Sequence, residues 1–404
     1  MEQNLSERLK YIPDGTQTLS KAHFKYPASY PKYFVKGDGC YVWDEHGNKY
    51  IDFVCSLGPI ILGHNYPSIT EAVTKRIRQG TIFSLPHSSE EELAKKLCDR
   101  FVGAEMARFA KNGVDVTSAA IRLARYVAEK EKILCGEYHG CADWFLGSNK
   151  DHPGVPDSIK EEVVQLRKYD NKQAEIQFAK GNVAAVIIEP YIYEKKSDRP
   201  GAYGNWRRHL AYLCRKYNAL LIYDEIVSGF RHPYEWPEET PDLRCIGKAL
   251  GNGFPIAALI GKKRYMEQLH TVFFSTTFGG DLVGISAAIA VLDEIDNINA
   301  IILNQKIGQY FLDQATKISE EYRVFEIYGK SPRLFFDFKI DKDRAVFMQE
   351  CCKKGVFFGI PIFFNASMEK KDIDQAILVM DDVSKNFNSY KLEGEIPLFW
   401  TFKK

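Results

Sequence analysis

Residues 184–190, AAVIIEP, and residues 219–225, ALLIYDE, each contain an apolar run followed by a carboxylate. Between them, residues 206–217 have the apolar spacing of a helix. Shorter apolar runs occur at 132–135, KILC, and at 257–260, AALI. Strands that are apolar on both faces and alternate with helices are typical of a parallel sheet covered on both sides. The sequence therefore predicts an α/β fold with a mostly parallel sheet.

Polar residues follow these apolar runs directly. KILC is followed by GEYHG (136–140), and the next two runs lead into Glu189 and Asp224. Lys248 lies between two glycines in GKALG (247–251). Ligands of open α/β sheets bind just beyond the carboxyl ends of the strands. A carboxylate at such a buried position needs a cationic partner, because burying it unpaired is costly.

A glycine turn opens into a predicted helix earlier in the chain. Residues 111–113, KNG, precede residues 117–125, where apolar side chains recur at helical spacing. A helix N-terminus attracts anions. Taken singly, a glycine turn, an acidic helix cap and a solvated lysine are common structural features. Their order along one chain favours a ligand site at one edge of the sheet.

Composition excludes several functional classes. The chain has 404 residues, with 54 Lys and Arg against 53 Asp and Glu, so its formal charge is +1. We therefore expect neither nucleic acid nor an anionic membrane as a partner. The 9 Cys include no CxxC pair, which predicts reduced thiols and no metal site. With no signal peptide and no apolar run of spanning length, the expected location is the cytoplasm.

The ends of the chain predict a second, smaller α+β domain. Residues 39–52, GCYVWDEHGNKYID, alternate as in a β-hairpin, and the C-terminal part mixes helical and strand-like runs. No linker or repeat separates the parts. We expect an N-terminal segment, 1–65, that joins the small domain, a large domain, 66–298, and a C-terminal small domain, 299–404.

Eight motifs occur in a fixed order across the chain. They are GDGCYVWDEHGNKYIDF (37–53), GPIILGHNYP (58–67), KNGVDVTSAAIRLAR (111–125), YHG (138–140), IIEP (187–190), YDEIVSGFR (223–231), PDLRCIGKALGNGFPIAA (241–258) and STTFGGD (275–281). In these motifs the chain resembles the class III, fold type I aminotransferases that depend on pyridoxal 5'-phosphate (PLP). The resemblance is to the glutamate-1-semialdehyde 2,1-aminomutase-like branch in particular, and its fold agrees with the predicted α/β architecture.

The resemblance implies roles for the residues at the sheet edge. Lys248 would bind PLP covalently as a Schiff base and later move a proton. Asp224 would keep the pyridine nitrogen protonated. Tyr138 would stack on one face of the ring and Ile226 would pack on the other. His139 would orient Asp224.

The resemblance also implies how the rest of the cofactor is held. The phosphate would bind the backbone N–H groups of Gly113 and Val114, and Asn112 takes the place of a serine that many relatives carry. Glu189 would lie close to the ring substituents. Thr277 matches a threonine that reaches the phosphate from the neighbouring subunit, which implies a homodimer with a shared active site.

The implied activity is transfer of an amino group from an amino acid donor to an aldehyde or ketone, with a sugar derivative as one candidate acceptor. Lys21 and Leu57 would contact the substrate, where the aminomutases have arginine and tryptophan. The lid loop, 142–156, is shorter than theirs, which argues against an enzyme that must retain its intermediate. The alternatives left open are a 2,1-aminomutase, a decarboxylase and a non-catalytic PLP-fold binding protein.

Overall fold

The chain forms two compact units in a computed structural model, which describes residues 2–191, 198–199, 201–232 and 239–399. The small unit comprises the described parts of Met1–Leu57, Ile61–Tyr66 and Ile302–Lys404, and the large unit comprises those of Gly58–Ile60 and Pro67–Ile301. The domain bounds expected from the sequence stay a prediction, because compact units need not coincide with domains that fold independently.

The described helices are distributed along the whole chain. They are α1 (Glu2–Tyr11), α2 (Pro67–Ile77), α3 (Ser88–Arg100), α4 (Gly113–Ala128), α5 (Asp143–Leu146), α6 (Asp157–Glu161), α7 (Asn171–Ala179), α8 (Ala202–Lys216), α9 (Lys263–Met266), α10 (Leu282–Asn297), α11 (Ala300–Tyr322), α12 (Asp341–Lys353) and α13 (Lys370–Lys385).

The strands form one sheet in the large unit and two in the small unit. They are β1 (Phe34–Asp38), β2 (Tyr41–Asp44), β3 (Lys49–Asp52), β4 (Met106–Ala110), β5 (Lys132–Cys135), β6 (Val163–Gln165), β7 (Val183–Ile188), β8 (Leu220–Glu225), β9 (Leu243–Ile246), β10 (Ala257–Gly261), β11 (Glu326–Lys330), β12 (Arg333–Asp337), β13 (Val356–Phe357) and β14 (Ile362–Phe363).

The sheet of the large unit has seven strands in the order β4-β10-β9-β8-β7-β5-β6. The five strands from β9 to β6 pair in parallel, which confirms the predicted mostly parallel sheet. Strand β10, predicted from AALI, runs antiparallel to both of its neighbours. The reason is the short connection from β9, since a parallel return needs a long crossover.

Both faces of this sheet are buried. Successive residues of a strand point to opposite faces, so Ile222 of β8 joins a core cluster with residues of α4, whereas Leu221 joins a cluster with residues of α8. All residues of β7 and β8 are buried. This two-sided cover explains why these strands read as continuous apolar runs.

The small unit contains a four-stranded sheet, β1-β2-β3-β13, and a three-stranded sheet, β11-β12-β14. The antiparallel pairing of β2 with β3 confirms the predicted hairpin. The core of the small unit is rich in aromatic rings. The ring centroid of Phe53 lies 5.3 Å from that of Phe311 and 5.0 Å from that of Phe358. Such ring pairs add to the stabilisation from burial alone.

Candidate active site

Three adjacent parallel strands of the large unit end at the same edge of the sheet. Strand β7 leads into Glu189, β8 contains Asp224 near its end, and β9 leads through Gly247 into Lys248. Asp224 is paired in register with Cys245, so Lys248 follows Asp224's partner by three positions. The parallel pairing therefore brings these polar residues to one edge, as the apolar runs predict.

Asp224 forms a buried hydrogen-bonded pair with His139. Its Oδ2 lies 2.8 Å from Nδ1 of His139, and its Oδ1 accepts the backbone N–H of Ile226 at 3.1 Å. Both side chains are buried. An ionised carboxylate only accepts hydrogen bonds, so Nδ1 of His139 is the donor. The pair fixes the orientation of Asp224.

The other ring nitrogen of His139, Nε2, is buried without a hydrogen-bond partner among the residues that the structure describes. Thr117 of α4 donates its hydroxyl to the carbonyl oxygen of His139 at 3.2 Å, which anchors the backbone there. Trp144 stacks on the imidazole with centroids 6.5 Å apart. A buried polar atom without a partner is rare and marks a place where another group can bind.

Ile226 packs against two glycines, Gly113 and Gly247. A Cβ added at Gly113 would lie 3.1 Å from its side chain, and one added at Gly247 would lie 3.0 Å from it. The first glycine begins α4, and the second precedes Lys248. Glycine at both positions therefore lets the helix start and the lysine turn approach the same side chain.

Lys248 adopts an uncommon backbone conformation. Its φ is +43°, in the left-handed region that residues other than glycine rarely occupy. It begins a short 3₁₀ turn, Lys248–Gly251, after Gly247, and its side chain is partly buried. Conformations of this kind cluster at functional sites, where the surrounding structure maintains them.

Helix α4 begins at Gly113, which confirms the predicted helix start. Asp115 accepts the backbone N–H of Asn112 at 2.8 Å, so its carboxylate caps the residue before the helix. The amides of Gly113 and Val114 belong to the first turn, where helix geometry supplies no intrahelical acceptor. Two donors and the positive end of the helix dipole are therefore available for an anion.

Tyr138 presents its ring at this edge. The residue is 62% exposed, and its ring meets Phe145 edge-to-face at 5.5 Å. Burial of part of the side chain, followed by the neighbouring Cys141 and Asp224, raises the pKa of the Tyr138 hydroxyl. The exposed ring is available for stacking, and its predicted contact with the cofactor stays a prediction.

Glu137 was assigned no role from the sequence, yet it lies among the predicted site residues. One of its carboxyl oxygens accepts the backbone N–H of Glu189 at 3.3 Å. Burial, with a smaller contribution from the charge of Glu189, raises the pKa of Glu137 to about 7, although His139 opposes the shift. Tyr203 donates its hydroxyl to the backbone oxygen of Glu189 at 2.5 Å. The available signal was its position between KILC and Tyr138.

Three other predicted residues belong to segments outside this sheet edge. Thr277 is exposed on a loop of the large unit. Lys21 and Leu57 belong to the small unit, where both line a cavity of about 560 Å³. Their predicted contacts with a neighbouring subunit's phosphate and with the substrate stay predictions.

The described residues contain neither a metal-binding cluster nor a membrane-spanning helix. No group of three or more His, Cys, Asp or Glu side chains in the described ranges could hold a metal ion. No described helix has the length and apolar character needed to cross a membrane.

Comparisons with known proteins agree on one family. The family model for class-III aminotransferases matches residues 26–383. The glutamate-1-semialdehyde 2,1-aminomutase 1 of Listeria monocytogenes serotype 4b (strain F2365) is 35% identical, over 95% of this chain and 97% of that protein. The 3-aminobutyryl-CoA aminotransferase of Cloacimonas acidaminovorans (strain Evry) is 34% identical, over 83% of each.

A solved structure has a similar fold. It is the PLP internal aldimine form of the FumI protein from Sphingopyxis sp. MTA144, with a TM-score of 0.87 and 25% sequence identity. The match covers 99% of each chain.

Proposed function

The chain belongs to the class-III aminotransferases, and we propose that it is a PLP-dependent transaminase that moves an amino group from an amino acid to an aldehyde or ketone. The observation that carries this proposal is the buried pair of Asp224 and His139 at the sheet edge that also bears Lys248. A buried carboxylate in this place is suited to a cationic ring nitrogen.

The residues present fit PLP. Asp224 offers a fixed negative charge for the pyridine nitrogen, Lys248 offers an amine for the aldehyde, and the first turn of α4 offers N–H donors for the phosphate. Gly113 and Gly247 have no side chains, so Ile226 can pack close to the backbone at both positions. When bound, PLP supplies an electron sink that stabilises negative charge at the substrate Cα.

Each residue then has a defined task. Asp224 holds the proton on the pyridine nitrogen, because its negative charge favours the protonated ring. His139 keeps Asp224 in place through its 2.8 Å hydrogen bond. Lys248 would hold the cofactor covalently and would accept and return the proton at the substrate Cα. Tyr138 and Ile226 would hold the ring from its two faces.

We propose that the donor is an amino acid and that the acceptor is an aldehyde or ketone of the kind found in sugar derivatives. Lys21 is suited to a substrate carboxylate by its charge, although a lysine lacks the two-pronged geometry of an arginine. The site would be completed in a homodimer, where Thr277 of one subunit reaches the phosphate bound by the other.

A 2,1-aminomutase is the second candidate, because the Listeria aminomutase is 35% identical over nearly the whole chain. The two activities differ in what leaves the enzyme. A transaminase releases the keto acid of its donor, whereas an aminomutase returns the amino group to the same molecule. Leu57 and the short stretch at 142–156, which includes α5, favour the transaminase.

The test is a single-turnover panel of amino acid donors mixed with the purified, PLP-loaded protein. We expect at least one donor to replace the absorbance of the PLP form by that of pyridoxamine phosphate, with stoichiometric keto acid. A protein that no donor converts, but that isomerises an amino aldehyde such as glutamate 1-semialdehyde, would be an aminomutase. The Lys248→Ala variant should show neither reaction.

A further inference from the structure

The small unit contains a cavity of about 560 Å³ whose wall is rich in cations. Arg8, Lys21, Lys32 and Lys36 line it, whereas Asp52 supplies the one carboxylate among its described lining residues. A cavity of this volume is within the range of small-molecule sites. The excess of positive charge indicates an anionic ligand.

Asp52 does not neutralise these cations, because its carboxylate has other partners. Its Oδ2 is 2.8 Å from Nε2 of His64, and its Oδ1 accepts the backbone N–H groups of Val54 and Cys55 at 2.8 and 3.0 Å. Asp52 is also buried. Its charge is thus satisfied within the wall of the cavity.

Arg8 and Lys32 are crowded together and are held by uncharged groups. Nζ of Lys32 donates a hydrogen bond to the carbonyl oxygen of Ala28 at 2.7 Å. Nη1 of Arg8 donates one to the backbone carbonyl oxygen of Lys32 at 3.2 Å. Burial and then the charge of Arg8 lower the pKa of Lys32, although Glu45 opposes this. Neither cation forms an ion pair with any carboxylate of the described residues.

Two side-chain nitrogens of residues that line the cavity have no hydrogen-bond partner among the described residues. Nε of Arg8 and Nδ1 of His23 are buried without a hydrogen bond within the described part of the chain, and both residues line the cavity. The guanidinium of Arg8 lies 4.9 Å from the ring of Tyr33, which restricts its position. A guanidinium that is already restrained loses less entropy when it binds an anion.

Aromatic rings form another part of the wall. Tyr26 stacks on Tyr30 at 5.3 Å, and Phe34 meets Phe357 edge-to-face at 4.9 Å. All four rings line the cavity. An apolar or aromatic portion of a ligand can lie on this surface while its charged end meets the cations.

We propose that this cavity binds an organic phosphate, with the phosphate at Arg8 and Lys32 and the organic part on the aromatic wall. A phosphate ester carries two negative charges near neutral pH and several acceptor oxygens, so it matches a pair of cations better than one carboxylate does. The organic part is a sugar or a nucleoside. Lys21 and Leu57, which the resemblance assigns to the substrate, line the same cavity, so the ligand would share part of the proposed substrate surface. The two residues that would hold its phosphate, Arg8 and Lys32, have no role in the proposed transamination.

The test is calorimetric titration of the full-length, PLP-saturated protein with glucose 6-phosphate, ADP and succinate. Saturation with PLP keeps the probes out of the cofactor's own phosphate site. We expect at least one phosphate probe to bind more tightly than succinate. Tighter binding of glucose 6-phosphate would identify the organic part as a sugar, and tighter binding of ADP would identify it as a nucleoside. Binding should weaken as salt is added.

Substitutions locate the site. Lys32→Gln and Arg8→Gln should each raise the Kd by about tenfold, because each removes a charge-assisted hydrogen bond. Lys10→Gln is the matched control on α1, because it removes an exposed charge that does not line the cavity. Circular dichroism checks that each variant is folded. Lys32→Arg keeps the positive charge and should bind the probe about as tightly as the parent does.

Three results would overturn the proposal. They are no binding of either phosphate probe at about 10 mM, far above the range of specific sites, succinate binding as tightly as the phosphates, and a Kd that neither Lys32→Gln nor Arg8→Gln changes. None of them bears on whether the protein converts amino acid donors, so the two proposals fail separately.

Discussion

Two carboxyl groups at the edge of the large sheet differ in their surroundings. Asp224 accepts hydrogen bonds from His139 and from a backbone amide. Glu137 is held by a single longer hydrogen bond from the Glu189 amide. The charge of Glu189 also lies nearby, and burial raises the pKa of Glu137 to about 7. Asp224 is therefore suited to hold a cation, whereas Glu137 is suited to take up a proton.

Glu137→Gln should change how stability depends on pH. Because the pKa of Glu137 is raised in the folded state, the folded protein holds this proton to a higher pH than the unfolded chain does. The contribution is fully present below about pH 4.5 and is lost as pH rises through about 7. Glutamine stays neutral at every pH, so the variant does not lose this contribution. Its free energy of unfolding should therefore rise relative to that of the parent as pH rises, by on the order of 1 kcal/mol.

The measurement is urea unfolding of both proteins between about pH 5 and pH 8. Glu92→Gln is the control, because it removes an exposed carboxylate of the same unit. A difference between Glu137→Gln and the parent that stays constant over this pH range would show that Glu137 is ionised throughout.

At the scale of elements, the start of α4 and the turn after β9 depend on the same side chain. Ile226 lies 3.1 Å from where a Cβ of Gly113 would be and 3.0 Å from where a Cβ of Gly247 would be. The two elements that carry the phosphate donors and Lys248 are therefore packed against each other through one residue.

Gly113→Ala tests this packing. Its methyl group would crowd Ile226, so we expect a loss of about 1–3 kcal/mol in the free energy of unfolding. The Kd for PLP should also rise, because the first turn of α4 must shift. Gly204→Ala in α8 is the control, since among the described residues its added Cβ would meet only Arg208, at 3.8 Å. Equal stability and equal PLP affinity in Gly113→Ala and the parent would contradict the argument.

The sequence predicts the elements whose pattern is local. Strands β5, β7 and β8 are continuous apolar runs because both of their faces are buried, and α4 follows a glycine turn. The direction of β10 was not predictable from AALI, because it depends on which strand the chain joins next. For the same reason the role of Glu137 was missed. Its hydrogen bond comes from the backbone amide of Glu189, which follows strand β7 and is distant in sequence.

At the scale of the whole molecule, the two compact units show what sequence order hides. The small unit combines segments from both ends of the chain, such as β3 and β13, which pair in parallel at Ile51 and Val356. Such pairing is set by contacts between residues far apart in sequence. The hairpin of β2 and β3 was predictable, whereas its extension by β13 was not.

The proposed homodimer makes a prediction about two inactive variants. If Thr277 of one subunit completes the phosphate site of the other, Lys248→Ala and Thr277→Glu damage a site from different chains. In a mixed dimer one site then carries both changes and the other carries neither. After unfolding and joint refolding, the mixture should regain about one quarter of the parent activity, because half of the dimers are mixed and one of their two sites is intact.

Each variant refolded alone is the control and should stay inactive. Thr277→Glu suits this experiment because Thr277 is exposed in the single chain, so the change should leave the fold intact while its charge repels a phosphate. If Thr277 served the site of its own subunit, a mixed dimer would have one site damaged by each variant. No activity would return, and the shared site would be ruled out.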